Sequence, residues 1–569
     1  MTARPRLRRG LFFFDVDFAA WNSWSDWGDF DDKDDVSVCR CEAQEEGQRE
    51  AVTVVRWIAL WIGVGAMVAV VGCAGRTAPP ARPDDSILLV PPSPVEPRPP
   101  VAEAVDPVEE LPLGRPDPSS DAAPLELDDV LISVYERYPL VQVAMEQRTI
   151  AEGRLLETYG SFDLKVKGGG TTGPLGFYRT NRFGTGLEQA LFGGGDVFAG
   201  YRIGRGNFQP WYGERETDDG GEFKAGFLIP LAQNRRIDAR RAAIFQAALG
   251  RDSVEPQILL QLIDFVRAAT HAYWSWVAAG QAVQIERALL DIALKRREGL
   301  QKRVQRGDLS PIELTDNERL IASRRAALID AQRKFQQSAI KLSLFFRDPG
   351  GRPKLPPRAS LPSGFPGIEP YGEGRLHGDI EAALVARPEL QFLDFVRQQL
   401  EVDLDQARNM YLPDVRVGAT ASKDVGAPAS KKGDKTPFEL EASLLVSLPL
   451  QRRKALGKLR ATEGKLVQIR AKTQFAREKI GADVRNAVAA LRAAYDRIEQ
   501  ARESVQLNER MEEAERKRFQ AGQSNLLLVN LREKATADAR KTLVAAQLEY
   551  FRAEADLRAA MGSVPIPAE

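Results

Sequence analysis

Hydrophobic positions along the chain follow two different periods, and the periods take turns. In FDLKVKG, Phe162, Leu164 and Val166 alternate with Asp163, Lys165 and Lys167. FKAGFLIPL places Phe223, Ala225, Phe227 and Ile229 on one side, and VRVGATA does the same with Val415, Val417, Ala419 and Ala421. FELEASLLVSLPL extends the pattern through Phe438, Leu440, Ala442, Leu444, Val446 and Leu448. Alternation of this length predicts strands with one wet and one dry face. Elsewhere the step lengthens. Leu466, Ile469, Ala476, Ile480, Ala487, Leu491, Ala494, Ile498, Ala501 and Val505 recur mostly at steps of 3, 4 and 7, which is coiled-coil spacing. Two long helices are predicted, from Arg235 to about Gln305 and from Arg452 to Gln520, each roughly 70 residues or about 105 Å long at 1.5 Å per residue.

These elements come in two copies of one plan. One copy opens with LELDDVLISVYERYPLVQVAMEQ and the other with HGDIEAALVARPELQFLDFVRQQ. Each gives a short helix, then Pro139 or Pro388 at the start of a longer one, as proline favours the first helical turn. Two main strands follow in each copy, closing at Pro230-Leu231 and Pro449-Leu450. Each long helix ends at a glycine turn, Gly307 or Gly522, and a returning helix follows. In the second of these, Leu543, Ala546, Tyr550, Ala553, Leu557 and Ala560 again keep 3/4 spacing. The first repeat spans 125–350, with strands over about 162–230 and a helix hairpin over 234–347. A linker covers 351–378, and the second repeat spans 379–562, with strands over about 414–449 and a hairpin over 452–561. The glycine- and aromatic-rich stretch between the first repeat's strands has room for an extra hairpin, about Arg182–Leu191 with Val197–Gly204.

Ahead of the repeats, WIALWIGVGAMVAVVGCAGRTAPPARP carries an apolar run of about fifteen residues, against the roughly 20 that a spanning helix needs. Its length suits a secretory signal. The run ends at Val70-Val71-Gly72-Cys73, which resembles the lipobox of bacterial lipoproteins and makes Cys73 the expected lipidation site. A signal-anchor helix or a buried helix would carry a similar run. Residues 52–73 are thus read as a lipoprotein signal and 1–51 as sequence upstream of the true start, translated in error or disordered. Residues 74–124 are rich in proline and acids and have too little apolar surface to fold, so a linker is expected.

Composition narrows the chemistry. Lys and Arg number 79, as do Asp and Glu, so nothing biases the chain toward nucleic acid. Two histidines, His271 and His377, lie in different halves, and with residues 1–51 set aside Cys73 is the sole cysteine. Histidine-dependent catalysis and cysteine-rich metal sites lack raw material. No Walker A pattern occurs either. The expectation is no enzyme, no cofactor and no metal.

Four main strands cannot close a barrel in lipid, where bacterial barrels begin at eight strands and unpaired edges are not tolerated. The chain would have to pool strands with copies of itself. Two copies would give eight strands with a filled interior, and three would give twelve with a lumen. A soluble β-domain is the alternative, but it would not explain strands coupled to helices of some 100 Å.

The doubled helix–strand–strand–helix plan, the two prolines, the Pro-Leu strand endings and the repeat AGQSNLLLVNLREKATADARKTLVAAQLEYFRAEADLRAAMG together resemble the TolC family of outer-membrane efflux proteins, over about Leu125–Gly562. The resemblance implies a mainly α fold with a membrane β region: a homotrimer whose 12-stranded β-barrel stands on a periplasmic α-barrel. It implies a passive exit duct in the cell outer membrane, fed by an inner-membrane transporter through a periplasmic adaptor protein. Gly307, Asp308, Gly522 and Gln523 then mark the tips for adaptor contact. The same architecture serves type I protein secretion. From another class, a membrane-tethered periplasmic coiled-coil scaffold would share the helices but not the paired strands. In the family, carboxylates six and nine residues after the second tip glycine can ring the mouth. Here Leu528 and Leu531 stand at those offsets, and Glu313 and Asp316 stand at the same offsets from Gly307. All four are the constriction candidates, the acids as a charged ring and the leucines as an apolar collar that gates by dewetting.

Overall fold

A computed structural model describes residues 123–208, 216–429 and 436–563. The expected extension, the signal ending at Cys73 and all but the last two residues of the proline-rich linker lie outside the described residues.

The first repeat begins with α1 (Leu127–Arg137) and α2 (Pro139–Tyr159), the latter with its proline in the first turn as the sequence predicts. Four strands follow: β1 (Lys165–Gly173), β2 (Thr180–Ala190), β3 (Asp196–Gly206) and β4 (Glu222–Pro230). Then come α3 (Ala239–Asp252), α4 (Val254–Gln305) and α5 (Pro311–Ser343). The second repeat runs through α6 (Arg375–Ala386), α7 (Pro388–Asn409), β5 (Asp414–Asp424), β6 (Phe438–Ser447), α8 (Arg453–Gln520) and α9 (Leu526–Ala560).

Two expectations are corrected. The chain carries six strands in one antiparallel sheet of order β1-β2-β3-β4-β5-β6, where the sequence predicts four main strands. The room for an extra hairpin is filled by β2 and β3, with full membership in the sheet. Their turn closes through Leu191 N–H to Gly195 O, and Gly195 sits at φ 95, where a Cβ would lie 2.3 Å from Leu228 O. Glycine at strand positions such as 184, 186, 200 and 204 lowers strand propensity, but these glycines lie on the polar face and leave the alternation of Phe183, Leu187, Ala199 and Ile203 intact. The second correction concerns the first long helix, which breaks at Ser253 into α3 and α4. Pro256 lacks the N–H that would bond residue 252, and its ring crowds that carbonyl. Within FDLKVKG the strand begins only at Lys165, because 160–162 form a tight helical turn.

The coiled-coil reading of α8 and α9 holds. Leu466, Ile469, Ala476, Ile480, Ala487, Leu491, Ala494, Ile498 and Ala501 are all buried, as are Ala546, Tyr550, Ala553, Leu557 and Ala560, while Val505 and Leu543 are half-buried. The largest hydrophobic cluster gathers where the linker crosses the helices. Trp274 and Phe365 both stack on Phe551, with centroids 4.4 and 5.5 Å away, and Trp276 is fully buried beside them. Tyr371 of the same linker donates to Asp379 at 2.5 Å and lies under Arg375 and Arg492. Burial, then that carboxylate, pushes its phenol up to about 12. Arg148 of α2 grips Glu255 of α4 through two bonds of 2.5 and 2.7 Å, which holds the Glu255 carboxyl below its usual range.

Both return strands leave the sheet through a left-handed residue, Asn234 (φ 66) after β4 and Arg452 (φ 47) before α8. Asn234 N–H donates to the Asn409 side chain at the end of α7, at 2.9 Å, and Asn409 returns a bond of 3.2 Å. Arg452, for which this backbone is costly, lies 4.7 Å over the Tyr411 ring. The sheet is therefore fixed on its helices at matching places in the two repeats.

Candidate functional site: sheet faces and helix tips

The register sorts the six strands into two unlike faces. One row of partners reads Val166, Leu187, Ala199, Ala225, Ala421 and Leu440. Below it lie Val197, Phe227, Ala419 and Ala442, then Ile229, Val417 and Leu444. This apolar face is open: Val166 is 75% exposed, Leu440 69% and Val446 65%. Rows on the other face read Lys167, Gly186, Gly200, Lys224, Ser422 and Glu439, then Lys165, Glu188, Phe198, Gly226, Thr420 and Glu441. That polar face is the more enclosed one, with Glu222 only 4% exposed. Its charges pair at close range: Lys167 with Glu188 at 2.5 Å, Arg416 with Asp414 at 3.1 Å, Arg202 with Glu222, and Arg240 of α3 with Asp196 at 2.8 Å.

Apolar outside and polar inside inverts the usual soluble sheet, whose apolar face is covered. From Phe438 to Leu448 the apolar side of the β6 segment extends about 34 Å, or about 26 Å of height at a strand tilt near 40°. An outer-membrane barrel shows an apolar band of about 25 Å. Rings flank the band at both ends, Phe177, Tyr178 and Phe208 at the loop end and Phe162, Phe192 and Tyr411 at the helix end. Among the described residues no helix is long and apolar enough to cross a membrane. None of the described residues form a group of three or more histidines, cysteines or acids able to hold a metal.

At the far end of the helices the two tips match. Gly307 (φ 78) and Gly522 (φ 74) each close a helix, and four residues later the next helix begins, at Pro311 and Leu526. Glu313 and Leu528 are therefore equivalent third helical residues, and Asp316 and Leu531 equivalent sixth ones. Asn525 caps α9 by accepting from Leu528 N–H at 3.0 Å. Leu528 is 40% and Leu531 56% exposed. Asp316 accepts two bonds from Arg319, at 3.1 and 2.9 Å. Of the predicted tip residues, Asp308 lies 3.9 Å from Arg306, and Gln523 N–H donates to Arg518 O.

Sequence reasoning missed a buried charge cluster above these tips. Glu533 of α9 is 1% exposed, and it pairs with Arg296 of α4 and, at 3.0 Å, with Arg324 of α5. Arg296 also donates to Asn530 at 2.5 Å, and Arg324 to Leu289 O at 2.5 Å. The signal was present, since Glu533 occupies the buried stripe Leu526, Val529, Glu533, Ala537, where a charge has no business without partners. Further rungs climb the α4–α9 seam: Glu286 with Lys541, Ser275 with Arg552 at 2.8 Å, and His271 with Asp556 at 3.1 Å. Among these three rungs each step back along α4 meets an equal step forward along α9, as an antiparallel seam requires. Among the described residues, no hydrogen bond or ion pair joins the two hairpins nearer the tips than the Glu533 rung.

The family described as "Outer membrane efflux protein" matches residues 380–563. No curated protein matches the chain by sequence. Among solved structures, the outer membrane protein VceC from Vibrio cholerae is 17% identical, with a TM-score of 0.56 over 77% of this chain and 96% of that one. The open state of the MtrE outer membrane channel from Neisseria gonorrhoeae is 16% identical, with a TM-score of 0.55 over 77% and 89%. The CmeC outer membrane channel from Campylobacter jejuni is 14% identical, with a TM-score of 0.55 over 77% and 85%. At these identities the likeness speaks for the fold.

Proposed function

We propose, for a chain whose residues 380–563 match the outer membrane efflux protein family, that this protein is the outer-membrane exit duct of a tripartite export system. The observation that carries the reading is the inverted sheet. An exposed apolar face meets lipid, and an enclosed polar face meets water. Its two edges cannot stay unpaired in a bilayer, so copies of the chain close one wall between them, three in the family arrangement. The hairpins α4–α5 and α8–α9 form the tube that crosses the periplasm. Their tips, with Gly307, Asp308, Gly522 and Gln523, receive the adaptor of an inner-membrane transporter, which supplies the energy. The chain itself performs no chemistry, and an acylated Cys73 tethers it to the outer membrane.

The constriction forms near the tips. Leu528 and Leu531 give an apolar collar, and Glu313 and Asp316 give charge. The Glu533 cluster holds the two hairpins together about 17 Å above Gly522 at 1.5 Å per residue, and the tips are free to part below it. Neutralising both acids, Glu313→Gln with Asp316→Asn, is expected to move the cation-to-anion permeability ratio toward one. An unchanged ratio would remove the two acids from the constriction.

The test of the whole reading is reconstitution. Full-length protein is expected to assemble as a detergent-dependent oligomer and to conduct ions across a planar bilayer. A water-soluble monomer without conductance would sink it in favour of the scaffold reading. A type I secretion duct shares this architecture, and swapping partner pumps in cells separates the two by cargo.

A further inference from the structure

The β2–β3 hairpin lies in the middle of the sheet. Register is continuous from β1 through β2 and β3 into β4, eleven residues of β2 facing eleven of β3. Removing the pair would leave an alternating antiparallel order, because a hairpin adds one ascending and one descending strand. The hairpin therefore changes the width of the sheet and leaves its topology intact.

The outer edges meet the same logic. Among the described residues β1 and β6 each pair on one side only. With an even number of strands these edges run in opposite directions, so β6 of one copy and β1 of the next can pair antiparallel. The apolar band reaches both edges, through Val166 on β1 and Leu440 and Leu444 on β6. Charge is complementary across the joint. On the polar face β1 presents Lys165 and Lys167, while β6 presents Glu439 and Glu441.

We infer that each copy contributes all six strands, edge to edge with a second copy of this chain, so that three copies close an eighteen-stranded exit fitted to bulky hydrated cargo. This rests on the shared wall proposed above. Eighteen strands spaced about 4.8 Å apart and tilted about 40° give a backbone diameter of about 36 Å, whereas twelve give about 24 Å. Barrels of 16–18 strands keep an aqueous channel. On the inner face of the hairpin Gly184, Gly186, Gly200 and Gly204 alternate with Arg182, Glu188, Phe198 and Arg202. Ion pairs along that face set Lys167 against Glu188, Arg202 against Glu222 and Arg416 against Asp414.

Imaging of the full chain in lipid nanodiscs, viewed down the symmetry axis, tests the wall directly. Eighteen strands are expected, and a companion lacking Thr180–Gly206 should close twelve. Uncharged polyethylene glycols of graded size, added on the loop side of a planar bilayer, should enter the full channel at larger sizes than the shortened one. A twelve-stranded wall in the full chain, with the hairpin outside it, would overturn the inference and leave the duct standing. So would equal size cut-offs in two channels that both assemble. A chain that stays single in lipid would overturn the shared wall, and this inference with it.

Discussion

Replacing Glu533 by glutamine is expected to cost about 3–5 kcal/mol of unfolding free energy, the range for removing one partner of a buried ion pair. The carboxylate is 1% exposed and answers two guanidinium groups, of which Arg324 is 5% and Arg296 14% exposed. Glutamine keeps a hydrogen-bonding oxygen but leaves both cations without a counter-charge. The cost should show in denaturant or thermal unfolding of the assembled protein in detergent. A triple change, Glu533→Met with Arg296→Leu and Arg324→Leu, is expected to regain most of the loss, because a packed apolar cluster can replace a buried ionic one. If the single substitution proves neutral, the cluster is not the tie between the hairpins. If the triple variant regains stability but its channel stands open more often, the charges serve to hold the tips in register.

The second large effect distinguishes the faces of the sheet. Ala419 and Thr420 are neighbours on β5, but Ala419 lies in the apolar rows beside Phe227 and Ala442, and Thr420 in the polar rows beside Gly226 and Glu441. If the apolar rows meet lipid as proposed, Ala419→Arg should destabilise the assembled protein by about 2–4 kcal/mol, the cost of an arginine on the lipid face of a barrel near the midplane. Thr420→Arg should cost far less, since its side chain enters water beside Glu441. Refolding into lipid vesicles at graded urea measures both. Equal costs, or a larger cost at Thr420, would show that the apolar face does not meet lipid.

The structure also explains which parts of the tip were legible. The offset that sets Glu313 against Leu528 and Asp316 against Leu531 is short-range. A glycine in the left-handed region ends one helix, and four residues on the next begins, so counting along the chain finds the equivalent positions. That Asp316 bonds Arg319 is just as local, being one turn apart on α5. The Glu533 cluster is different. Arg296 and Arg324 lie more than two hundred residues before it, and only the packing of α4, α5 and α9 brings the three together.

The same division holds through the molecule. By itself the sequence determined what depends on neighbours a few residues apart. That includes the two-residue period of β4, β5 and β6, the 3/4 steps of α8 and α9, the proline starts of α2 and α7 and the glycine tips. Each follows from side-chain direction along a strand or helix and from backbone freedom at one residue. The tertiary structure alone decided how many strands share the sheet, that β4 of the first repeat pairs with β5 of the second, and which charges are buried together. In β2 and β3 the alternation offered an extra hairpin, and its place within the sheet was settled by hydrogen bonds to flanking strands. Pairing and burial depend on contacts that close long loops, and no period along the chain records which distant partner will complete them.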